Sequence, residues 1–158
     1  MSMVGKEVKY ENLSDFYKNI LQAALKALDN SYNPYSHFFV GSALLAFNGK
    51  IVTGTNCENA AYGSTICAER AAILSANTLG LGSSIMTIAI IGKGKDFDVE
   101  DIVAPCGACR QMLSELSQRS GIDLDVIMSN TKMTKVVIAK ISELLPLAFG
   151  PKDLGIEV

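Results

Sequence analysis

Apolar residues recur at three- and four-residue steps through Leu13, Phe16, Ile20, Ala24, Leu25 and Leu28. That spacing predicts an amphipathic helix over about residues 13–29, ended by Asn33-Pro34. Next come HFFVGSALLAF (37–47), then Asn48-Gly49, then KIVTGTNC. Asn-Gly between two apolar runs is a strong hairpin signal, so two antiparallel strands are expected. Residues 66–79, ICAERAAILSANTL, predict a second helix with Gly80 as its stop. Because it is apolar on nearly every side, this helix is expected to be buried. SSIMTIAI (84–91), an unbroken apolar run closed by Gly92, predicts a buried strand. Residues 107–119 follow Pro105-Cys106 and place Met112, Leu113 and Leu116 at helical spacing. LDVIM (124–128) and VVIA (136–139) predict two further strands, and ISELLP a short closing helix.

The order is therefore α, β, β, α, β, α, β, β, α. Helices interleaved with strands imply an α/β fold of three layers, αβα, with helices on both faces of one sheet. The opening hairpin makes that sheet mixed, with mostly five strands. Repeats, low-complexity tracts and linker-like stretches are lacking, so one domain over residues 1–158 is expected.

Composition sharpens the picture. The 158 residues are 49% hydrophobic and only 19% charged, against a usual charged share of about 25%. A chain of this length can bury a core without disulfides, and the apolar surplus points to deep core or subunit contact. A net charge of −2 disfavours a nucleic-acid partner. The apolar stretches stop short of the ~20 residues a membrane span needs. MSMVGKEVKYENL has no apolar signal region, so a cytoplasmic location is expected. In that compartment a C-x-x-C pair reads as metal ligands or a redox group rather than a staple.

Candidate chemistry concentrates in two places. Between Asn59 and Gly92 only Glu69 and Arg70 are charged. They stand in the first turn of an apolar helix, two and three residues after Cys67. A buried carboxylate there needs a partner or a shifted pKa. The second cluster is Pro105-Cys106-Gly107-Ala108-Cys109. Two cysteines three apart at a helix start can face one ion, and the helix N-terminus favours thiolate. Cys109 shares a face with Met112, Leu113 and Leu116 and so points inward. Three cysteines suit a catalytic zinc, which keeps a fourth position open, unless Cys57 fills it. In Asn56-Cys57-Glu58, strand alternation sends Asn56 and Glu58 to one face and Cys57 to the other, into the core. His37, the lone histidine, is left no vacancy by three thiols.

Cys67-Ala68-Glu69 with Pro105-Cys106-Gly107-Ala108-Cys109 matches the zinc-deaminase signature. The chain resembles the small, homotetrameric cytidine deaminases. The resemblance runs through NPYSHFFVGSALL, TNCENAAYG, ICAERAAI, APCGACRQ and LLPLAFGPKDL and spans nearly the whole chain. It implies zinc-dependent conversion of cytidine and 2′-deoxycytidine to the uridines, with release of ammonia. It further implies that Cys67, Cys106 and Cys109 hold one zinc per subunit and that Glu69 shuttles protons. By the same resemblance, the Ala68 N–H holds the pyrimidine O2, Asn56 and Glu58 bind the ribose 3′-hydroxyl, and Phe38 stacks on the base. Arg70 lies beside the thiolates. Ala60, Tyr62 and Phe149 serve a neighbouring subunit's site in a homotetramer. Phe39 and Cys57 depart from the usual pattern, at positions with no mapped catalytic role.

The residue types suit the reaction. Zinc makes a nucleophile from water at neutral pH, and a carboxylate can carry the water's proton to the ring nitrogen and the departing amine. Arg70 can offset the excess negative charge of three thiolates. The rival readings are a deaminase of another cytosine-bearing small molecule, of the blasticidin type, and a non-catalytic structural zinc protein. Asn56 and Glu58 argue against the first and Glu69 against the second.

Overall fold

A computed structural model describes residues 4–158; residues 1–3, part of the N-terminal stretch read above for a signal, lie outside it. The backbone forms six strands, β1 (Lys6–Glu7), β2 (Phe38–Ala46), β3 (Ile51–Thr55), β4 (Ile85–Gly94), β5 (Asp125–Asn130) and β6 (Val136–Lys140). The helices are α1 (Asp15–Ala27), α2 (Ala68–Thr78), α3 (Gly107–Ser120) and α4 (Ile141–Leu144). Every element expected from the apolar pattern is present in the expected order, and the sheet is mixed as expected. It has six strands rather than five. The extra one, β1, is two exposed residues paired antiparallel to the edge of β6. A two-residue strand held by backbone bonds alone, extended by Val8 N–H to Val136 O at 2.9 Å, leaves no side-chain period to read.

The sheet order is β1-β6-β5-β4-β2-β3. β2 and β3 form the hairpin across Asn48-Gly49, and β2 also pairs antiparallel with β4. β4 and β5 are parallel, so the chain must cross over between them, and α3 is that crossover. α1 and the turn that follows it cover one face through Ile20, Leu21, Ala24 and Leu28 against Ala43, Leu45, Ala89 and Ile91. α2, α3 and α4 cover the other, where Ala72, Ile73, Leu113 and Ile141 meet Leu44, Ile88 and Ile90.

Three details differ from the pattern. Phe16, on the expected apolar stripe of α1, is 64% exposed, and Leu21 takes the core position instead. α2 is buried on one face only, and its outward Leu74 and Leu79 are about half exposed. Cys57 is exposed rather than in the core. β3 ends at Thr55, so strict alternation no longer governs residue 57, which makes isolated bridges to Tyr32 and Ile66. Gly80 does stop α2, at φ 74°, a left-handed conformation that favours glycine.

Two glycines bring helices onto the sheet. A Cβ on Gly54 of β3 would lie 2.4 Å from both the carbonyl oxygen of Ala68 and the backbone nitrogen of Ala72. A Cβ on Gly41 of β2 would lie 2.0 Å from the Ala24 carbonyl oxygen on the opposite face. The absence of those side chains lets α2 and α1 seat directly on strand backbone. For α2, that contact fixes the turn carrying Glu69.

Candidate active site

Cys67 is the N-cap residue of α2 and Cys106 the N-cap residue of α3. These positions usually hold Ser, Thr, Asp or Asn, whose oxygens satisfy the first free N–H groups. Neither thiol makes a capping bond. Both turn toward Cys109, one turn into α3 and fully buried. Sγ of Cys106 is 3.9 Å from that of Cys67 and 3.5 Å from that of Cys109, and all three lie within 4.8 Å of one another. A tetrahedral zinc with bonds near 2.3 Å needs sulfurs about 3.8 Å apart. The cluster therefore fits that ion, and the helix N-termini behind Cys67 and Cys106 favour its thiolates. Cys57 and His37 are both exposed and outside the cluster, so among the described residues three thiols meet without a fourth protein ligand.

Free of metal, the thiols share negative charge unevenly. A hydrogen bond with Cys109 and the nearby Arg70 guanidinium lower the Cys67 pKa. The same bond with Cys67, burial and the charge of Glu69 push Cys109 up.

Glu69, in the first turn of α2, is 4% exposed and the only fully buried carboxylate among the described residues. Burial raises its pKa, and the charge of Cys67 pushes the same way, while its own backbone N–H, Cys109 and Arg70 pull it down. Its carboxyl group thus belongs to the electrostatics of the thiol cluster. Arg70 donates from Nη2 to the Thr65 carbonyl at 2.9 Å and to Sγ of Cys67 at 3.6 Å. It makes no ion pair with a carboxylate, and its buried Nε has no partner. Ala68, fully buried, is the first residue of α2, so its N–H has no intrahelical acceptor.

Asn56 and Glu58, just past the end of β3, both reach the segment entering β2. Asn56 accepts from the Val40 N–H at 2.9 Å and donates to the Phe38 carbonyl at 2.9 Å, clasping the start of that strand. One Nδ2 hydrogen remains free. Glu58 accepts the N–H groups of Tyr35 at 2.9 Å and Ser36 at 3.1 Å, together with the Ser36 hydroxyl. Desolvation opposes its ionisation, but the Ser36 and Tyr35 bonds prevail and hold its pKa below the ordinary value. Tyr35 and Ser36 as partners of Glu58 carry no signal in the sequence, because long-range folding makes the contact. Phe38, half-buried, has its ring over Gly92, where a Cβ would lie 3.1 Å from Cε1. Val103 approaches the same position, its Cγ2 3.0 Å from that Cβ. A cleft of about 290 Å³ opens between Tyr35, Ser36, Glu58, Tyr62 and Thr65. Ala60, Tyr62 and Phe149 are all exposed, and Tyr62 meets Tyr35 edge-on at 5.6 Å between ring centroids.

The family model for the cytidine and deoxycytidylate deaminase zinc-binding region matches residues 14–122, a span that includes all three thiols and Glu69. The cytidine deaminase of Halalkalibacterium halodurans is 39% identical over 136 residues, covering 86% of this chain and 96% of the relative. The chain belongs to the cytidine deaminase family. A cytidine deaminase of Mycobacterium tuberculosis is 37% identical over 131 residues, covering 83% of this chain and 87% of that protein. The crystal structure of cytidine deaminase from Burkholderia pseudomallei superposes with a TM-score of 0.76 at 37% identity, over 87% of this chain and all of that one. A zinc-binding deaminase domain and a three-thiol cluster of zinc dimensions are mutually consistent, with one ion per chain. No helix among the described residues is long and apolar enough to cross a membrane.

Proposed function

We propose that this protein catalyses zinc-dependent hydrolytic deamination of cytidine and 2′-deoxycytidine to uridine and 2′-deoxyuridine, releasing ammonia. It does so as one domain over residues 1–158, in pyrimidine salvage in the cytoplasm, as a homotetramer with shared sites. The observation that carries the reading is the cluster of three thiols at two helix starts beside the buried Glu69. Family membership favours it over a blasticidin-type deaminase or a structural zinc protein.

Cys67, Cys106 and Cys109 would hold the metal, which when bound would supply the Lewis acidity that activates water at neutral pH. Glu69 accepts a proton from the attacking water and delivers it to N3 of the cytosine ring, making C4 electrophilic. The water oxygen bonds to C4, and Glu69 then carries the proton of the new C4 hydroxyl to the amine; the C4–N bond breaks as the C4 carbonyl forms, so that one water is consumed and one ammonia released. Burial raises the Glu69 pKa, so this carboxyl group holds a proton between accepting and returning it more readily than an exposed one would. The Ala68 N–H donates to the pyrimidine O2, and the Phe38 ring stacks on the base. The free Nδ2 hydrogen of Asn56 and the remaining acceptor capacity of Glu58 take the ribose 3′-hydroxyl. Ala60, Tyr62 and Phe149, exposed in one chain, reach a neighbour's site, and the outward Leu74 and Leu79 of α2 suit a subunit contact.

Turnover of four compounds tests the reading. Zinc-loaded protein should deaminate cytidine and 2′-deoxycytidine, followed by absorbance and ammonia release, and should act poorly on cytosine and CMP. Free cytosine lacks the sugar that Asn56 and Glu58 hold. CMP adds a phosphate, and Gly92-Lys93-Gly94 lacks the phosphate-loop pattern. No turnover of either nucleoside would defeat the assignment. Arg70→Ala should retain zinc, measured by metal analysis, and lower kcat about tenfold, since it withdraws a donor from the Cys67 sulfur. Unchanged turnover would remove Arg70 from the chemistry.

A further inference from the structure

α3 holds more than two thiols. Arg110, next to Cys109, donates from Nε to the Pro105 carbonyl at 2.8 Å and from Nη1 to the Leu144 carbonyl at 3.2 Å. Pro105 immediately precedes Cys106, and Leu144 is the last residue of α4. One guanidinium therefore bridges the turn that presents a metal ligand and the root of the C-terminal arm, residues 145–158. Gln111 donates from Nε2 to the Phe149 carbonyl at 2.8 Å. Gln118 follows at i+7 from Gln111, on the same helix face. A Cβ on Gly150 would lie 2.7 Å from the Gln118 amide nitrogen, so bare backbone rests on that side chain. Beyond it, the Gly150 N–H donates to the Asp153 carboxylate at 2.7 Å.

The arm is held through its backbone and the buried Pro151, while two of its large apolar side chains point outward: Leu147 is 97% and Phe149 59% exposed. A groove of about 850 Å³ separates the arm from α3 and α4, with Leu145, Pro146 and Ala148 on one side and Ser114, Ser117 and Ile141 on the other.

We infer that Arg110 and Gln111 are positioning residues that mount the C-terminal arm on the metal-bearing end of α3. Arg110 ties the Pro105–Cys106 turn to the arm's root. Gln111 sets where Phe149 is offered to the neighbouring subunit. One helix then orients Cys109 inward for its own site and Phe149 outward for another. The inference rests on the shared-site homotetramer proposed above.

Gln111→Met keeps the length of the side chain and removes its donor. It should raise the KM for cytidine about fivefold, the factor a single neutral hydrogen bond is worth, with kcat within about twofold of wild type. Zinc content, melting temperature and tetramer mass should not change. The deciding measurement is a mixed tetramer in which Gln111→Met subunits are diluted into a large excess of Glu69→Gln subunits. Each surviving active site then belongs to a Gln111→Met chain, while its neighbours carry an intact Gln111. Return of KM to the wild-type value supports action across the interface; a KM that stays raised overturns it. Phe149→Ala should behave alike in the same mixture, and an unchanged KM in that variant also overturns the inference. Arg110→Met should lose zinc to a chelator about tenfold faster. An unchanged rate overturns its part, and should the variant not fold, the Gln111 mixture still decides. Failure of the functional reading would show separately, as a zinc-loaded wild type that leaves cytidine untouched.

Discussion

Glu69→Gln should lower kcat for cytidine by about a thousandfold or more while leaving zinc content and fold unchanged. The amide has the same shape as the carboxyl group and can still hydrogen-bond, but it cannot accept a proton from water and pass it on. No substitute is at hand. Glu69 is the only fully buried carboxylate among the described residues, and Glu58 is committed to Tyr35 and Ser36. The thiols that hold the metal are untouched. The two measurements are steady-state turnover and metal analysis on the same sample. A variant that turns over normally would show that the proton travels elsewhere. A variant that loses its zinc would show that Glu69 holds the cluster together rather than serving the reaction.

Gly54→Ala should be the most damaging change outside the thiols and Glu69. Its methyl would meet Ala68 O and Ala72 N, both backbone atoms of α2, at 2.4 Å. Backbone cannot rotate away as a side chain can, so α2 must lift from β3. Overpacking of this kind costs about 3 kcal/mol, read as a lowered midpoint in urea. Lifting α2 also shifts Cys67 and Glu69 relative to Cys106 and Cys109, because the two pairs ride on different helices. Activity should therefore fall even where the variant is fully folded. Gly41→Ala is the matched control. It forces the same kind of clash against α1, on the face of the sheet away from the thiols. It should lose comparable stability yet keep kcat and KM near wild type when folded. Equal activity in both folded variants would show that the seat of α2 on β3 does not set the site.

Local spacing was legible and long-range contact was not. Cys67, Ala68 and Glu69 fall within one helical turn, and Cys106 and Cys109 within another, so their relation to a helix start follows from short offsets. The inward aim of Cys109 follows from its phase with Leu113 and Leu116, and all three are buried. The burial of Glu69 follows from the apolar stretch around it. Phe16 and Leu21 show the limit of the same reasoning. Both are large apolar residues at plausible phases of α1, and which one enters the core depends on the angle at which the helix meets the sheet. Cys57 shows another limit. Alternation holds only while strand pairing lasts, and pairing stops two residues earlier, at Thr55.

The sequence by itself determined the element order, the chemistry of the donor set and the resemblance to a deaminase family, because each is written in residues a few positions apart. Only the tertiary structure decided that the two helix starts meet at sulfur separations suited to zinc. It also decided that Glu58 is anchored by Tyr35 and Ser36, and that Arg110 and Gln111 grip the C-terminal arm. Those contacts join segments far apart in the chain, and the packing of helices on both faces of one twisted sheet is what brings them within a few ångströms.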